Sequence, residues 1–457
     1  MICRLVYLLA VVLGVPISAA AAARNVVLMI GDDHGRQVGC YGDTVVKTPS
    51  LDRLATQGTR FAHGFAAVSS CSPSRSVILT GWFNHTNGQY GLAHGVHNFH
   101  SLARVESVPA LLKAAGYRTA IVGKYHVEPP EVYPFDEQLP CLGGPRQVAT
   151  MAESARAFIA RGSNQPFFLL VGFADPHRAN KGFDNQTRHR GVQPVKYRPE
   201  DILVPAWLPD NADSRSELAE YYESVSRMDR GIGMILDAVE TTGHRQDTLV
   251  IYISDNGPPF PGAKTTLYDP GIHLPLIISS PDQGGRAVTS RAMVSWVDIA
   301  PTILDWAKAK VPKEISGRSL LPILGQSDPA GWDVVYGSHT FHEVTMYYPM
   351  RMIRTRQYKY ILNLAHELEY PFASDLWGSV TWQGILSRAD KQYGQRSVQA
   401  LIHRPQEELY DLTKDPDETD NLAADPAHAG ALKDLRARLR AWQEETQDPW
   451  IIKYKHE

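Results

Sequence analysis

Cysteine is scarce in this chain, with four residues in 457, and Cys71 stands alone in the stretch "SSCSPSRSVILTG". No second cysteine lies near it at metal-binding or redox spacing, which excludes a CxxC pair or a thiolate zinc finger there. A dominant charge sign is also lacking. The formal net charge is −3, so nothing global argues for nucleic acid. Its basic clusters, Arg188-His189-Arg190 and Arg354, Arg356, Lys359, read as solvated surface. No internal repeat or low-complexity tract occurs. No apolar run reaches the roughly 20 residues that span a bilayer. The composition, 43% hydrophobic and 21% charged, is that of a folded globular protein.

What the first 23 residues do have is Arg4, an apolar run from Leu5 to Val15, Pro16 and then an alanine-rich stretch. This pattern is a secretory signal peptide, residues 1–23, cleaved near Ala20–Ala23. Cys3 precedes the apolar run, which argues against a lipoprotein anchor. The expected product is exported and not inserted in a membrane: periplasmic, extracellular, or lumenal (lysosomal in a eukaryote). Removing the leader takes Cys3 with it. Cys40, Cys71 and Cys141 remain, and an odd number flags an unpaired or specially used thiol. Cys40 and Cys141 fit either a disulfide or two small buried hydrophobes.

The mature chain opens with "NVVLMIG", a continuous apolar run suited to a strand buried on both faces. Strand patterns at "YRTAIVGK", "QPFFLLVGF", "DTLVIYIS" and "LPLIISSP" alternate with helical ones at "TPSLDRLATQG", "SVPALLKAAG", residues 214–242 and "DIAPTILDWAKA". That alternation predicts a layered α/β sheet. After residue 325 strands group together and one helix closes the chain. The expected division is a catalytic α/β domain over 24–325, a "GQSDPAG" linker, and a smaller antiparallel α+β domain over 326–457.

Two predicted strands end in adjacent acid-type residues, Asp32-Asp33 and Asp255-Asn256. Ligands gather at the carboxyl ends of strands in open α/β sheets. Four oxygen-bearing side chains suit a hard cation, with Ca²⁺ more tolerant of geometry than Mg²⁺; capping or turn formation is the other reading. Cys71 begins a helical pattern, and a helix N-terminus lowers a thiol pKa, which suggests a thiolate nucleophile. Soft sulfur, however, does not match an oxygen-rich cation site. Lys124 and His126, two apart at a predicted strand end, would point the same way. His34, His63 and His100 read as structural or merely exposed.

"CSPSR" followed by "SVILTG" resembles the signature of the formylglycine-dependent sulfatase family, and "GKYHV", "DPHR", "SDNGPPFPGAKTTLYDPG" and "HEVTMYYPMR" extend the likeness to its heparan N-sulfatase branch. The resemblance implies an alkaline-phosphatase-like fold with a large mixed sheet. It implies that a maturation system, such as a formylglycine-generating enzyme, oxidises Cys71 to formylglycine. The hydrate of that aldehyde would attack sulfur and pass through a sulfated enzyme intermediate. Asp32, Asp33, Asp255, Asn256 and the converted Cys71 would hold Ca²⁺. Arg75 would hold the diol, Lys124 would contact sulfate, His126 would act as base and His177 as acid. Lys264 stands where the branch carries arginine, a swap that keeps the charge and loses the fork. His342, Glu343 and Arg351 would read the sugar, with a buried ion pair as the other role. The implied substrate is a sulfated heparan-type glycan; an O-sulfate ester of another sugar, or glycan binding without catalysis, are the alternatives. The resemblance leaves room for a homodimer.

Overall fold

The computed structural model describes residues 24–162 and 165–452; the expected signal peptide lies outside them. Its centre is an eight-stranded sheet formed by β1 (Asn25–Gly31), β2 (Thr59–Phe65), β3 (Arg118–Gly123), β4 (Glu137–Leu139), β5 (Phe167–Gly172), β6 (Thr248–Ser254), β7 (His273–Ser279) and β8 (Val288–Ser295). The spatial order is β4-β3-β5-β1-β6-β7-β2-β8. Neighbours run parallel except β6–β7 and β2–β7, which are antiparallel. The sheet is therefore mixed.

β1, β5 and β6 are buried at every position, as expected of strands covered on both faces. Alternate residues serve opposite layers. Val27 and Met29 pack with the Val148–Ile159 and Ala212–Thr241 helices, whereas Val26, Leu28 and Ile30 pack with the Cys71–Thr80 and Ile299–Trp306 helices. This period of two follows from strand geometry.

A second sheet, order β14-β11-β10-β9, is antiparallel throughout and contains β9 (Val334–His339), β10 (Met350–Thr355), β11 (Tyr358–Asn363) and β14 (Glu407–Asp411). Between β11 and β14 the chain makes short helices, Ser374–Trp377 and Val380–Arg388 among them, and a hairpin of β12 (Gln392–Tyr393) and β13 (Arg396–Ser397). One apolar core runs from Val26 in β1 to Trp442 in the Ala429–Glu445 helix, without interruption at residue 325. Just past the Cys71–Thr80 helix, Phe83 and His85 meet the Trp442 ring, and His85 Nε2 lies 2.9 Å from Thr446 Oγ1.

Several expectations need correction. Arg354 and Lys359 are buried, not solvated: both pair with Asp269, and Lys359 also with Glu418. Of the two roles open to Arg351, the structure shows the buried ion pair. Its guanidinium is fully buried and forks onto Asp448, with Nε 2.6 Å from Oδ2 and Nη2 2.8 Å from Oδ1. Cys40 and Cys141 are free thiols. The asparagines that open the triplets Asn84-His85-Thr86 and Asn185-Gln186-Thr187 are both engaged. Asn84 is buried, and Asn185 accepts from Arg227 and donates to the Glu220 carbonyl.

Candidate active site

Register places the two acid pairs side by side. Gly31 of β1 is opposite Ser254 of β6, so Asp32-Asp33 and Asp255-Asn256 leave adjacent strand ends together. The Asp33 amide donates to Asp255 Oδ1 (3.1 Å) and Asn256 Nδ2 donates to Asp33 Oδ1 (2.7 Å). All four side chains are buried. Asp32 Oδ1 and Asn256 Oδ1 have no hydrogen-bond partner among the described residues, a costly condition for buried polar atoms.

Three cations offset part of this charge. Arg75 Nε donates to Asp255 Oδ2 (2.9 Å), Lys124 Nζ to Asp32 Oδ2 (2.6 Å) and Lys264 Nζ to Asp33 Oδ2 (2.9 Å). Burial raises the Asp32 pKa, but Lys124, His177 and Arg75 hold it well below the usual carboxylate range. Asp255 goes the other way, pushed up by burial and then by Asp32. The protein's own cations thus leave one carboxylate short of compensation. Oxygen donors with two buried orphans fit a hard divalent cation.

Cys71 opens its helix after Ser70, in extended conformation. Its Sγ is buried 3.8 Å from Asp33 Oδ1. It groups with Asp32 and Asp255 on one side, and with Asp33 and His177 on the other. The thiol is not an activated thiolate. Burial pushes its pKa well up, and Asp32 and Asp33 add to that against Lys124 and Lys264. The helix N-terminus is outweighed, because desolvation of a buried anion exceeds a terminal dipole.

Lys124 and His126 do share the site, but not by strand alternation. β3 ends at Gly123, and His126 has a left-handed φ of 61°. The strand ends approach closely enough that a Cβ on Gly172 would lie 2.1 Å from the Lys124 carbonyl oxygen. Asp33 (φ 63°) and Thr265 (φ 68°), beside Lys264, are left-handed as well. Such conformations cost about 1–3 kcal/mol each and concentrate at functional sites. His126 Nε2 lies 2.6 Å from Nδ1 of the exposed His94. Burial, then Lys124 and Arg75, hold the His126 pKa well below the imidazole range.

His177 Nδ1 is 2.6 Å from the Arg178 carbonyl oxygen, so it carries the proton there and leaves Nε2 facing the site. Nε2 lies 3.2 Å from Lys264 Nζ and 3.7 Å from Asp33 Oδ2. Burial and Lys264 lower its pKa. His342 Nδ1 is 2.8 Å from Ser70 Oγ, one residue before Cys71. Glu343 Oε1 instead accepts from Ser374 N (2.9 Å) and Oγ (2.6 Å), at the start of the Ser374–Trp377 helix. His34, treated as structural, is buried 2.5 Å from Tyr252 OH.

Sequence reasoning missed His94 and Asp375, whose Oδ2 accepts from Lys264 Nζ at 2.8 Å. It also missed Asp175, which Arg146 and Arg227 pair from two sides while Arg146 holds the His177 and Arg178 carbonyls. Local spacing marks none of these contacts; Asp175 opens the "DPHR" motif, but its arginine partners lie 29 and 52 residues away.

Comparison with known proteins then decides the family. Residues 24–309 match the family described as Sulfatase. The chain belongs to the sulfatase family. Residues 263–373 also match the family described as N-sulphoglucosamine sulphohydrolase, C-terminal, which straddles the division expected at residue 325. Human N-sulphoglucosamine sulphohydrolase is 41% identical, over 94% of this chain and 92% of that protein. An N-acetylglucosamine-6-O-sulfatase from Bacteroides thetaiotaomicron is 26% identical over 87% and 88%. A solved structure of a protein in complex with its substrate D-glucosamine-2-N,6-O-disulfate superposes with a TM-score of 0.69 at 23% identity, covering 95% of this chain and all of the other. A 2-O GAG sulfatase superposes at 0.72 and 20% identity, over 94% and 93%. The large mixed sheet with a small antiparallel one is the sulfatase fold. Among the described residues no helix is long and apolar enough to cross a membrane.

Proposed function

We propose that this sulfatase removes the N-linked sulfate from glucosamine residues of heparan-type glycans after export from the cytoplasm. The observation that carries this reading is the 41% identity to an N-sulphoglucosamine sulphohydrolase along nearly the full length of both chains. Conversion of Cys71 to formylglycine by a maturation system would supply an oxygen nucleophile and a hard ligand, and Ca²⁺ held by Asp32, Asp33, Asp255 and Asn256 would supply positive charge where the sulfuryl oxygens lie. The chain's own groups do the rest. Arg75 and Lys124 pair with Asp255 and Asp32 and present fixed positive charge beside residue 71. Lys264 and His177 form the opposite wall, 3.2 Å apart, and a sulfuryl anion between these walls meets cations on both sides. His126, held neutral by its surroundings, is suited to accept a proton, with His94 in position to take it onward to the surface. His177 Nε2 is placed to give a proton to the departing nitrogen, since a bound anion raises an imidazole pKa that burial has lowered.

The reading is tested by supplying N-sulfoglucosamine and 6-O-sulfoglucosamine to converted enzyme and measuring sulfate. Release from the N-sulfo sugar is expected; release from the 6-O-sulfo sugar alone would make this an O-sulfatase. His177→Ala should lower kcat/KM on the N-sulfo sugar by about 100-fold, within the usual range for a general acid. Its effect on a nitrophenyl sulfate should be much smaller, because a phenolate leaves without protonation. Equal losses would remove the acid role. Chelation should abolish activity and lower the melting temperature. Ca²⁺ should restore both more fully than Mg²⁺, and full activity in chelator would rule out the cation.

A further inference from the structure

Asp375 lies beyond the last residue of either family match, on a four-residue helix in the segment between β11 and β14. Two carboxylates, Glu343 and Glu217, fix that segment against the active site. Glu343, adjacent to the site residue His342, accepts from Ser374. Glu217 accepts from Val380 N, Thr381 N and Thr381 Oγ1 (3.0, 3.1 and 2.6 Å). The same Glu217 pairs with Arg178, the neighbour of His177. The element that carries Asp375 and the loop that carries His177 are therefore bound to one carboxylate.

The Asp375 side chain has its Oδ2 2.8 Å from Lys264 Nζ and 3.9 Å from His177 Nε2. Lys264 does not need it for neutrality, since Asp33 already pairs with Lys264 at 2.9 Å. Asp375 Oδ1 has no hydrogen-bond partner among the described residues. A second carboxylate, with an oxygen left over, stands beside the imidazole that faces the leaving group. Such an oxygen is free to accept from water or, once substrate is bound, from a donor on the substrate.

The two kinds of sulfate substrate differ at that atom. A sulfamate nitrogen carries an N–H and can donate; an ester oxygen can only accept. The products differ too. In R–NH–SO₃⁻ + H₂O → R–NH₃⁺ + SO₄²⁻, the S–N bond breaks with its electron pair going to nitrogen. Nitrogen takes one proton from His177 Nε2 and a second from water, and His177 is reprotonated from solvent. Hydrolysis of an O-sulfate leaves a neutral alcohol. A carboxylate at the leaving atom attracts the first product and has nothing to offer the second, while its lone pairs repel an ester oxygen.

We infer that Asp375 is a specificity-determining residue that selects nitrogen over oxygen as the leaving atom, accepting the sulfamate N–H and then facing the ammonium product. This rests on the proposed N-sulfatase activity. Lys264 and then His177 hold the carboxyl well below its ordinary range against burial, which keeps it ionised.

The test compares N-sulfoglucosamine with glucose 2-sulfate, which differ at the reacting atom, using converted wild type, Asp375→Asn and Asp375→Glu. Turnover is measured for both sugars, and where the ester is not turned over its inhibition constant takes the place of kcat/KM. The N-over-O preference should fall about 10- to 100-fold in Asp375→Asn, the scale of a lost charge-assisted hydrogen bond. Asp375→Glu should recover part of it. A merely structural role would depress both sugars in proportion, so an unchanged ratio overturns the inference. A wild type that hydrolyses 6-O-sulfoglucosamine but not N-sulfoglucosamine overturns the proposed function, and this inference with it. Melting temperatures identify a variant that fails to fold, in which case Asp375→Glu decides by the same ratio.

Discussion

Replacing Cys71 with alanine is expected to abolish sulfate release, by on the order of 10⁴-fold or more, the scale on which loss of a nucleophile registers. The fold should survive. The change removes a single buried sulfur at the first turn of a helix whose other residues are also buried. Its cost is about 1 kcal/mol, similar to one buried methylene. The thiol itself is not the reactive species, since burial and two acids keep it protonated. Wild-type enzyme that retains an unoxidised Cys71 should therefore be as inactive as the alanine variant. Sulfate measured by ion chromatography, with mass spectrometry of the residue-71 peptide, checks both statements. Turnover by the alanine variant, or by fully unconverted wild type, would defeat the assignment.

The second large effect concerns stability. Asp448→Ala should cost about 3–5 kcal/mol, because it leaves the Arg351 guanidinium buried without its partner. Arg351 is completely buried and Asp448 nearly so, and the pair ties β10 to the chain just beyond the terminal helix. Burial alone would raise the Asp448 pKa. The charge and hydrogen bonds of Arg351 outweigh it and hold the carboxyl well below its usual range. A depressed acid stabilises the fold fully above its unfolded pKa, about 3.9, and loses that contribution as pH falls below this value toward the folded one. Wild type should consequently lose stability over that acid range by more than Asp448→Ala does. Urea melts at pH 7 and below pH 4 read both effects, and parallel pH profiles would refute the linkage.

Much of this site is legible in the chain because its metal-type ligands are local. Asp32-Asp33 and Asp255-Asn256 each follow an unbroken apolar strand directly, and sheet register does the rest. The parts that escape are those whose meaning depends on distant contacts. Asp375 meets Lys264 across 111 residues, and His94 meets His126 from a loop with no periodic signal. Arg354 and Lys359 look like surface charge in a polar strand, and only Asp269 and Glu418 make their burial tolerable. The strand argument for Lys124 and His126 fails because the chain leaves β3 at Gly123, before either residue. β2 and β8 also go unread; charged and polar residues interrupt their apolar pattern, and their place within the sheet makes them strands.

The long reach from His85 to Thr446 has a consequence in time. These partners are 361 residues apart, so a ribosome adding about 5–20 residues per second makes the second roughly 20–70 s after the first. Until then the segment behind the Cys71 helix lacks its final partner, whereas in the finished fold the thiol is 1% exposed. Any catalyst that must touch the Cys71 sulfur meets a buried atom once the chain has folded. Slowing elongation downstream of residue 71 would lengthen the time for which His85 waits for its partner.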